Sequence, residues 1–146
     1  MNWKLLSFTA LAGLVACILG LYLNHSAILG SGPVTIGIQV MAVLLMLWAR
    51  LTFGLRSFHG TANPTAGSLI TTGPYKYIRH PIYAAILYFL WAGIAAHPSL
   101  STVAVGLLAT AFSAVRIIAE EKLLTAAYPQ YAGYKRETKR LVPFLL

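Results

Sequence analysis

The stretch Gly73-Pro74-Tyr75-Lys76-Tyr77-Ile78-Arg79-His80-Pro81-Ile82-Tyr83 stands directly before an apolar run and determines the fold that we expect. Gly73 and Pro74 predict a turn, because glycine accepts a positive φ and proline fixes φ at about −65°. Pro81 disfavours a helical His80 and suits the first turn of the helix that follows. The stretch therefore presents tyrosines, an arginine and an imidazole at the end of a membrane helix. Plain interfacial belts use the same residue types, which is the alternative interpretation.

The composition is that of an integral membrane protein. Of the 146 residues, 58% are hydrophobic and 10% are charged, against about 25% charged in ordinary soluble domains, and the mean hydropathy is +0.73. The formal charge of +8 does not indicate nucleic-acid binding, because the basic residues flank apolar runs, as in membrane proteins generally. Cys17 is the only cysteine, so we expect no intramolecular disulfide and no cysteine-based metal site. We expect one domain over residues 1–146, with no metal and no nucleic-acid partner.

Four apolar runs predict an all-α fold with about four transmembrane helices. They cover residues 5–23, 34–51, 82–96 and 100–119, and one bilayer crossing takes roughly 20 such residues. A signal peptide is the alternative for the first run, but its length and the lack of a small-residue cleavage site favour a retained helix. The fourth run meets no helix breaker before Pro129, so we expect its helix to continue to near Ala127.

The lysine and arginine residues occur in alternate connections between the apolar runs, which predicts that they lie on one side of the membrane. None of the eleven lies in the turns at residues 24–32 and 97–99. All of them lie at the N-terminus, in or beside residues 52–79, or from Arg116 onward. Four crossings with both termini in the cytosol account for this distribution. We therefore expect the motif-containing loop and the C-terminal segment to meet at the cytosolic face.

The end of the fourth run carries a charged pair. Arg116 and Glu120 are four residues apart and so share one helix face. One interpretation is a structural ion pair whose arginine reaches the headgroups. The other is a binding site, because two of the three acids in the chain, Glu120 and Glu121, are adjacent at this membrane boundary. A carboxylate with histidine, tyrosine faces and a glycine-containing loop suits a polar, nucleotide-like cofactor.

Two motifs carry a resemblance to a known family. The first is Leu69-Ile70-Thr71-Thr72-Gly73-Pro74-Tyr75 followed by Arg79-His80-Pro81-Ile82-Tyr83, and the second comprises Arg116, Glu120-Glu121, Leu124, Tyr131, Tyr134 and Pro143. Together they resemble the isoprenylcysteine carboxyl methyltransferase family, with cofactor motifs at residues 67–83 and 116–143. The resemblance implies a membrane methyltransferase that uses S-adenosylmethionine, releases S-adenosylhomocysteine and receives its acceptor from the bilayer.

The resemblance also implies roles for individual residues. The matched cofactor contacts are Gly67, Ser68, Leu69, Ile70, Tyr75, His80, Pro81, Ile82, Tyr83 and Glu120. Arg116 matches the position associated with the acceptor. An amine or thiol acceptor needs a base as well, for which Glu121 or a water is the candidate.

Two departures from the family pattern concern the acceptor. The chain has fewer N-terminal helices than the eukaryotic members, and Gln130 stands where many relatives have an acid. Neither departure favours a prenylated protein as the acceptor. Residues 61–64 resemble the stretch that precedes the motif in bacterial relatives, so we expect a prokaryotic inner membrane.

We therefore predict methyl transfer to a lipophilic or small membrane-accessible acceptor that carries a carboxylate, thiol or amine. The expected partners are the lipid bilayer and this acceptor. One alternative is an NADPH-dependent membrane reductase of the sterol-reductase type, because the loop and the tail supply basic residues for the extra phosphate. The other is a non-catalytic membrane subunit that retains the fold.

Overall fold

The computed structural model describes residues 2–23, 28–54 and 69–142. Within these ranges five α-helices follow in order, α1 (Trp3–Leu23), α2 (Pro33–Phe53), α3 (Pro81–Ala96), α4 (Leu100–Ala127) and α5 (Tyr131–Glu137). A short 3-10 helix, Gly73–Lys76, precedes α3, and the only β-structure within the described ranges is one isolated bridge. The predicted all-α class is confirmed, and each predicted apolar run lies inside one helix. The short helix α5 was not predicted.

Among the described residues, three helices are long and apolar enough to cross a bilayer. α1 and α2 have 21 residues each and α4 has 28, whereas the apolar helix α3 has 16. Large apolar side chains are exposed along the long helices, as lipid-facing positions require, among them Leu44, Leu47, Leu107 and Leu108. These features confirm the membrane class. Four crossings stay a prediction, because α3 is shorter than the roughly 20 residues of a full crossing.

The local sequence explains where the helices begin and end. Pro81 is the first residue of α3, a position where the missing backbone N–H has no helical partner to lose. The side chain of Ser99 accepts the backbone N–H of Thr102 at 3.1 Å and caps the start of α4. α4 ends at Ala127, close to Pro129, as the sequence predicted.

The helices pack mainly in two pairs. α1 packs against α4 and α2 packs against α3, while α3 and α4 share a smaller interface. Small residues permit close approach, since a Cβ at Gly106 would lie 2.5 Å from Cδ1 of Ile94, and one at Gly13 would lie 2.6 Å from the Phe112 ring. The apolar core joins α1, α3 and α4 through Leu14, Cys17, Leu21, Leu90, Ile94 and Ala109.

One end of the bundle, here called the motif end, gathers the starts of α1 and α3 and the ends of α2 and α4. Arg116 of α4 donates a hydrogen bond to the Ser7 carbonyl of α1 at 3.1 Å. The rings of Phe53 in α2 and Tyr75 in the 3-10 helix lie 5.5 Å apart. Every lysine and arginine in the described ranges belongs to a segment at this end. The basic residues thus cluster at one end of the described bundle.

Farther from the motif end, a buried amide holds α2 and α3 together. Gln39, which is 6% exposed, donates from Nε2 to the carbonyls of Ile28 at 2.6 Å and Phe89 at 3.1 Å. Its Oε1 accepts the backbone N–H of Gly30 at 2.8 Å. The amide therefore binds three backbone groups, two in the turn before α2 and one in α3.

Candidate functional site

The first part of the site is the motif loop, residues 69–80, which packs on the end of α2. Gly73 has a φ of 58°, in the left-handed region where glycine is favoured. A Cβ at this position would lie 2.5 Å from Oγ1 of Thr52 and 3.2 Å from Nε1 of Trp48. Glycine is thus required both by the backbone and by the space, which confirms the predicted turn. The turn sets the direction in which the loop leads into α3.

The hydroxyl of Tyr83 joins the two charged residues of α4. It donates a hydrogen bond to Oε1 of Glu120 and accepts one from Nε of Arg116. Arg116 also pairs directly with Glu120, at 3.3 Å between Nε and Oε1. Arg116 and Tyr83 are 5% and 8% exposed, whereas the Glu120 side chain is 20% exposed. Glu120 is therefore the member of this group that an incoming ligand reaches first.

His80 lies between the two adjacent glutamates. Its Nδ1 is 3.7 Å from Oε2 of Glu120, and its Nε2 is 3.5 Å from Oε1 of Glu121. The imidazole ring also packs against Tyr83, with 5.8 Å between ring centroids. The backbone N–H of His80 donates to the carbonyl of Arg140 at 3.0 Å. His80 thus connects the Tyr83–Arg116–Glu120 group to the C-terminal part of the chain.

Glu121 is buried among basic side chains. Its carboxylate lies 3.0 Å from Nε of Arg79, 3.1 Å from Nη2 of Arg140 and 3.3 Å from Nζ of Lys135. The side chain is 4% exposed, so its charge interactions with these three cations offset the hydration that the carboxylate lost on folding. The hydrogen bond to Glu121 raises the pKa of Arg140 above its usual value. One carboxylate thereby holds side chains from the motif loop and from the C-terminal segment.

Residues 131–142, here called the C-terminal strap, lie across the motif loop. Ile78 and Lys139 form a parallel β-bridge, and the N–H of Arg79 donates to the Lys139 carbonyl at 2.7 Å. The hydroxyl of Tyr134 donates to the carbonyl of Tyr75 at 2.7 Å. Burial raises the pKa of Tyr134 to about 12, so its phenol stays neutral and remains a donor. The strap is therefore attached to the motif loop through backbone and side-chain bonds.

Further hydrogen bonds from Arg79 and Tyr88 hold the strap. Nη1 of Arg79 donates to the carbonyls of Lys135, at 3.0 Å, and Thr138, which lie at the C-terminal end of α5. The hydroxyl of Tyr88 in α3 donates to the carbonyl of Leu141 at 2.7 Å. The strap consequently starts over the motif loop and continues beside α3.

The structure brings four of the predicted site residues into mutual contact, namely His80, Tyr83, Arg116 and Glu120. Glu121 joins them through His80. Five further predicted residues lie in the motif loop or at the start of α3, and all of them are buried or half-buried: Leu69, Ile70, Tyr75, Pro81 and Ile82. Gly67 and Ser68 lie outside the described residues.

Four participants in the site had no role assigned from the sequence. Arg79 lies inside the first motif, Lys135 and Arg140 lie in the C-terminal segment, and all three bind Glu121. The available signal was the ratio of eleven basic to three acidic residues, which makes several cations around one carboxylate more common. Ser7 contributes only its backbone carbonyl, and no side-chain pattern marks such a group.

An apolar cavity of about 270 Å³ lies between α1, α2 and α3, and its lining extends to Ile28 in the turn before α2. Its walls include Ile18 of α1, Met46 of α2, and Ala85 and Ile86 of α3. Ala85 and Ile86 follow Tyr83 by two and three residues, which is less than one helical turn. One part of the cavity thus lies within one helical turn of Tyr83 along α3.

Residues 34–126 match the family model of the isoprenylcysteine carboxyl methyltransferase (ICMT) family. The chain belongs to this family. The match covers α2, the motif loop, α3 and nearly all of α4, and so includes Tyr83, Arg116, Glu120 and Glu121. It does not extend to α1, which carries Ser7, or to the strap. The resemblance drawn from the two motifs is confirmed, and the chain is a membrane protein of a methyltransferase family.

One curated relative of this ICMT-family chain is the cobalt-zinc-cadmium resistance protein CzcN of Cupriavidus metallidurans. The two are 33% identical over 114 residues, which is 77% of this chain and 51% of the relative. The chain therefore spans about half the length of that protein. No solved structure matches the ICMT-family chain at a significant level.

Proposed function

We propose that this protein transfers a methyl group from S-adenosylmethionine to a lipophilic or small membrane-accessible acceptor carrying a carboxylate, thiol or amine. The observation that supports this most strongly is the group of Tyr83, Arg116, Glu120 and His80 at the motif end. Both halves of the family motif supply this group, and the matched region of the chain contains all of it.

The chemistry of these side chains fits S-adenosylmethionine. The partly exposed carboxylate of Glu120 is an acceptor for ribose hydroxyls or for an ammonium group. Nε2 of His80 is a buried polar atom that makes no hydrogen bond of normal geometry among the described residues. The Tyr83 ring offers a face that attracts a cation, and Arg116 already lies 6.0 Å from its centroid. These groups match a ligand that carries both polar hydroxyls and a positive sulfonium.

In this proposal the cofactor is held mainly by the segment between residues 67 and 83 and by Glu120. The contacting residues are Gly67, Ser68, Leu69, Ile70, Tyr75, His80, Pro81, Ile82, Tyr83 and Glu120, carried over from the family motif. The strap covers this segment, because Tyr134 and Lys139 bind its backbone. S-adenosylmethionine supplies an activated methyl group on a sulfonium, so the protein has mainly to align donor and acceptor.

Arg116 and Glu121 differ in what they can contribute. Arg116 lies where the methyl acceptor binds in this proposal. Its bonds to Ser7, Tyr83 and Glu120 fix the position of its guanidinium. Glu121 is enclosed by cations, which favour its ionised form and oppose proton uptake. We therefore give Glu121 a positioning role in place of the predicted role as base. It fixes Arg79, and with it the motif loop, relative to α4.

The apolar cavity supports a lipophilic acceptor. Its walls are almost entirely hydrocarbon, and α3 brings it within one turn of Tyr83. An acceptor with an alkyl chain gains free energy by burying the chain there while its polar head lies at the Tyr83–Arg116–Glu120 group. The same arrangement admits a small apolar thiol or amine.

We also propose that the protein crosses a prokaryotic inner membrane four times, with both termini and the site in the cytosol. The basic residues at the motif end support this orientation, because such residues are retained on the cytosolic side. α3 then spans the hydrocarbon with the help of the short turns at its two ends. A cytosolic site has direct access to cellular S-adenosylmethionine.

Calorimetric titration of the purified protein with S-adenosylmethionine, S-adenosylhomocysteine and NADPH tests the proposal. We expect both nucleosides to bind and NADPH not to compete. Tyr83→Phe removes the hydroxyl that binds Glu120 and Arg116, and should weaken nucleoside binding roughly tenfold. Tyr77→Phe is the matched control, since Tyr77 is 49% exposed. Binding of NADPH alone would support the reductase instead, and binding of neither would support the non-catalytic subunit.

A further inference from the structure

Glu121 is bound by more positive charge than one carboxylate can balance. Arg79, Lys135 and Arg140 all bind Glu121, which leaves a surplus of two positive charges at this point. The side chains of Lys135 and Arg140 are 45% and 48% exposed, so they present donors to the outside as well as to Glu121. Such a half-exposed cationic pair is suited to an anion that accepts several hydrogen bonds.

Neighbouring lysines enlarge this surface. The bridge between Ile78 and Lys139 places the exposed residues Lys76 and Tyr77 of the motif loop beside Lys139 of the strap. The Nζ of Lys76 lies 6.0 Å from the centroid of the Tyr77 ring. Lys76, Lys135, Lys139 and Arg140 are all exposed on the two segments that this bridge joins and are here called the basic face, with the exposed Tyr77 beside Lys76. Tyrosine and lysine together are the residue types that proteins place at the headgroup level of a bilayer.

The position of the strap beside α3 indicates the depth of this basic face relative to the bilayer. The Arg140 carbonyl accepts the N–H of His80, directly before the first residue of α3. The next carbonyl, that of Leu141, accepts the hydroxyl of Tyr88, whose side chain reaches back toward the start of the helix. The chain therefore passes from the basic residues to the side of the first turns of an apolar helix. In the proposed membrane orientation, this transition lies near the boundary between headgroups and hydrocarbon.

We propose that the basic face of Lys76, Lys135, Lys139 and Arg140 binds the phosphate of an anionic lipid headgroup. A free phosphate offers the same chemistry, but the depth of the face beside α3 favours a lipid. Because Lys135, Lys139 and Arg140 belong to the strap and Lys76 to the motif loop, one headgroup contacts both segments at once. The bound lipid thereby holds the strap closed over the motif loop. This inference does not depend on the proposed methyl transfer.

The experiment compares two double variants in lipid nanodiscs. Lys76→Gln with Lys139→Gln removes two charges from the face and leaves every bond to Glu121 in place. Lys4→Gln with Lys122→Gln removes two charges from exposed positions at the same end, outside the face. The first readout is retention of phosphatidylglycerol against phosphatidylcholine by native mass spectrometry. The second is the amide hydrogen exchange of residues 131–142.

We expect phosphatidylglycerol to slow exchange in the strap of the wild type and of the Lys4/Lys122 variant. The Lys76/Lys139 variant should lose roughly thirty-fold in phosphatidylglycerol affinity, at about 1 kcal/mol for each lysine. Equal losses in both double variants would overturn the proposal, because they would reduce the effect to general surface charge. Inorganic phosphate in pure phosphatidylcholine discs should not slow exchange. If it reproduced the protection, the lipid assignment would be wrong.

Discussion

Arg79 and Glu121 are 42 residues apart in the sequence, yet Nε of Arg79 lies 3.0 Å from Oε1 of Glu121. The two side chains are 7% and 4% exposed, so the pair is shielded from water. Through the same guanidinium, Arg79 also reaches the carbonyls at the end of α5. A single ion pair thus connects the motif loop, α4 and the strap, and its removal should affect all three.

We expect Glu121→Gln to be the most destabilising conservative change at the site. It leaves Arg79, Lys135 and Arg140 facing a neutral amide, and breaking a buried pair on one side costs about 3–5 kcal/mol. Thermal unfolding in detergent, followed by circular dichroism, measures the loss. Glu137→Gln is the control, because Glu137 is exposed. Equal melting temperatures for the two variants would contradict the positioning role of Glu121.

Glu120 and Arg116 should respond differently to substitution. Glu120→Gln keeps the shape but loses a carboxylate, so it should weaken S-adenosylhomocysteine binding roughly tenfold. Arg116→Lys keeps the charge but loses the planar guanidinium that reaches Tyr83 and Ser7. It should bind the nucleoside nearly as the wild type does while methyl transfer falls.

Three measurements on both variants check this contrast. They are nucleoside affinity by calorimetry, melting temperature, and transfer of labelled methyl groups to an extract of lipids and small thiols. If both variants lost stability equally and kept wild-type affinity, the pair would be a structural ion pair only.

Gly73 and Gly133 form a matched pair of glycine substitutions. Gly73→Ala places a Cβ 2.5 Å from Thr52 at a φ of 58°, so we expect a loss of about 1–3 kcal/mol and a displaced motif loop. Gly133→Ala meets no atom within 4 Å inside α5 and should stabilise that helix by up to about 1 kcal/mol. Melting temperatures decide the comparison. A neutral Gly73→Ala would show that the turn tolerates a side chain.

Gln39→Leu tests the buried amide of α2. The substitution leaves the carbonyls of Ile28 and Phe89 and the N–H of Gly30 without this partner. An unsatisfied buried group costs about 1–3 kcal/mol, so leucine should destabilise the protein although it is the more apolar residue. Gln39→Glu is an informative companion, because it retains an acceptor for Gly30 and loses the donor. A more stable leucine variant would mean that the amide is dispensable.

The orientation in the membrane is testable by cysteine labelling. In a Cys17→Ser background, Ser31→Cys and Ser99→Cys place single thiols in the two turns away from the motif end. Both should react with an impermeant maleimide added outside intact spheroplasts, because four crossings put both turns outside. A cysteine at Lys139 is the control and should react only after lysis. Labelling of either turn exclusively from the cytosolic side would refute the proposed orientation.

Much of the fold follows from local sequence. Pro81 and Pro129 mark the start of α3 and the region where α4 ends, because proline has no N–H and restricts its neighbours. The four-residue spacing of Arg116 and Glu120 was enough to place them on one face, and the ion pair between them is present. Periodicity and helix breakers act within a few residues, so they are available to sequence reasoning.

The rest of the site depends on contacts between distant segments. The sequence does not reveal that Glu120 faces Tyr83 while Glu121, the next residue, faces Arg79 and the strap. That division depends on how α4 is rotated against α1 and α3. The role of Ser7 is even less visible, because a backbone carbonyl is common to every residue. The helix α5 contains a glycine among seven residues, and its own sequence gives too weak a signal.

Glu120 and Glu121 bind different segments, Glu120 through Tyr83 and Glu121 through Arg79, which limits the changes of length that α4 tolerates. Successive residues of an α-helix point about 100° apart, so a single inserted or deleted residue turns everything downstream by that angle. Gly106 anchors α4 against Ile94, upstream of the two glutamates. A one-residue change between Gly106 and Glu120 would swing both carboxylates away from their partners together. Related chains should therefore vary in length in their turns, while this part of α4 keeps a constant number of residues.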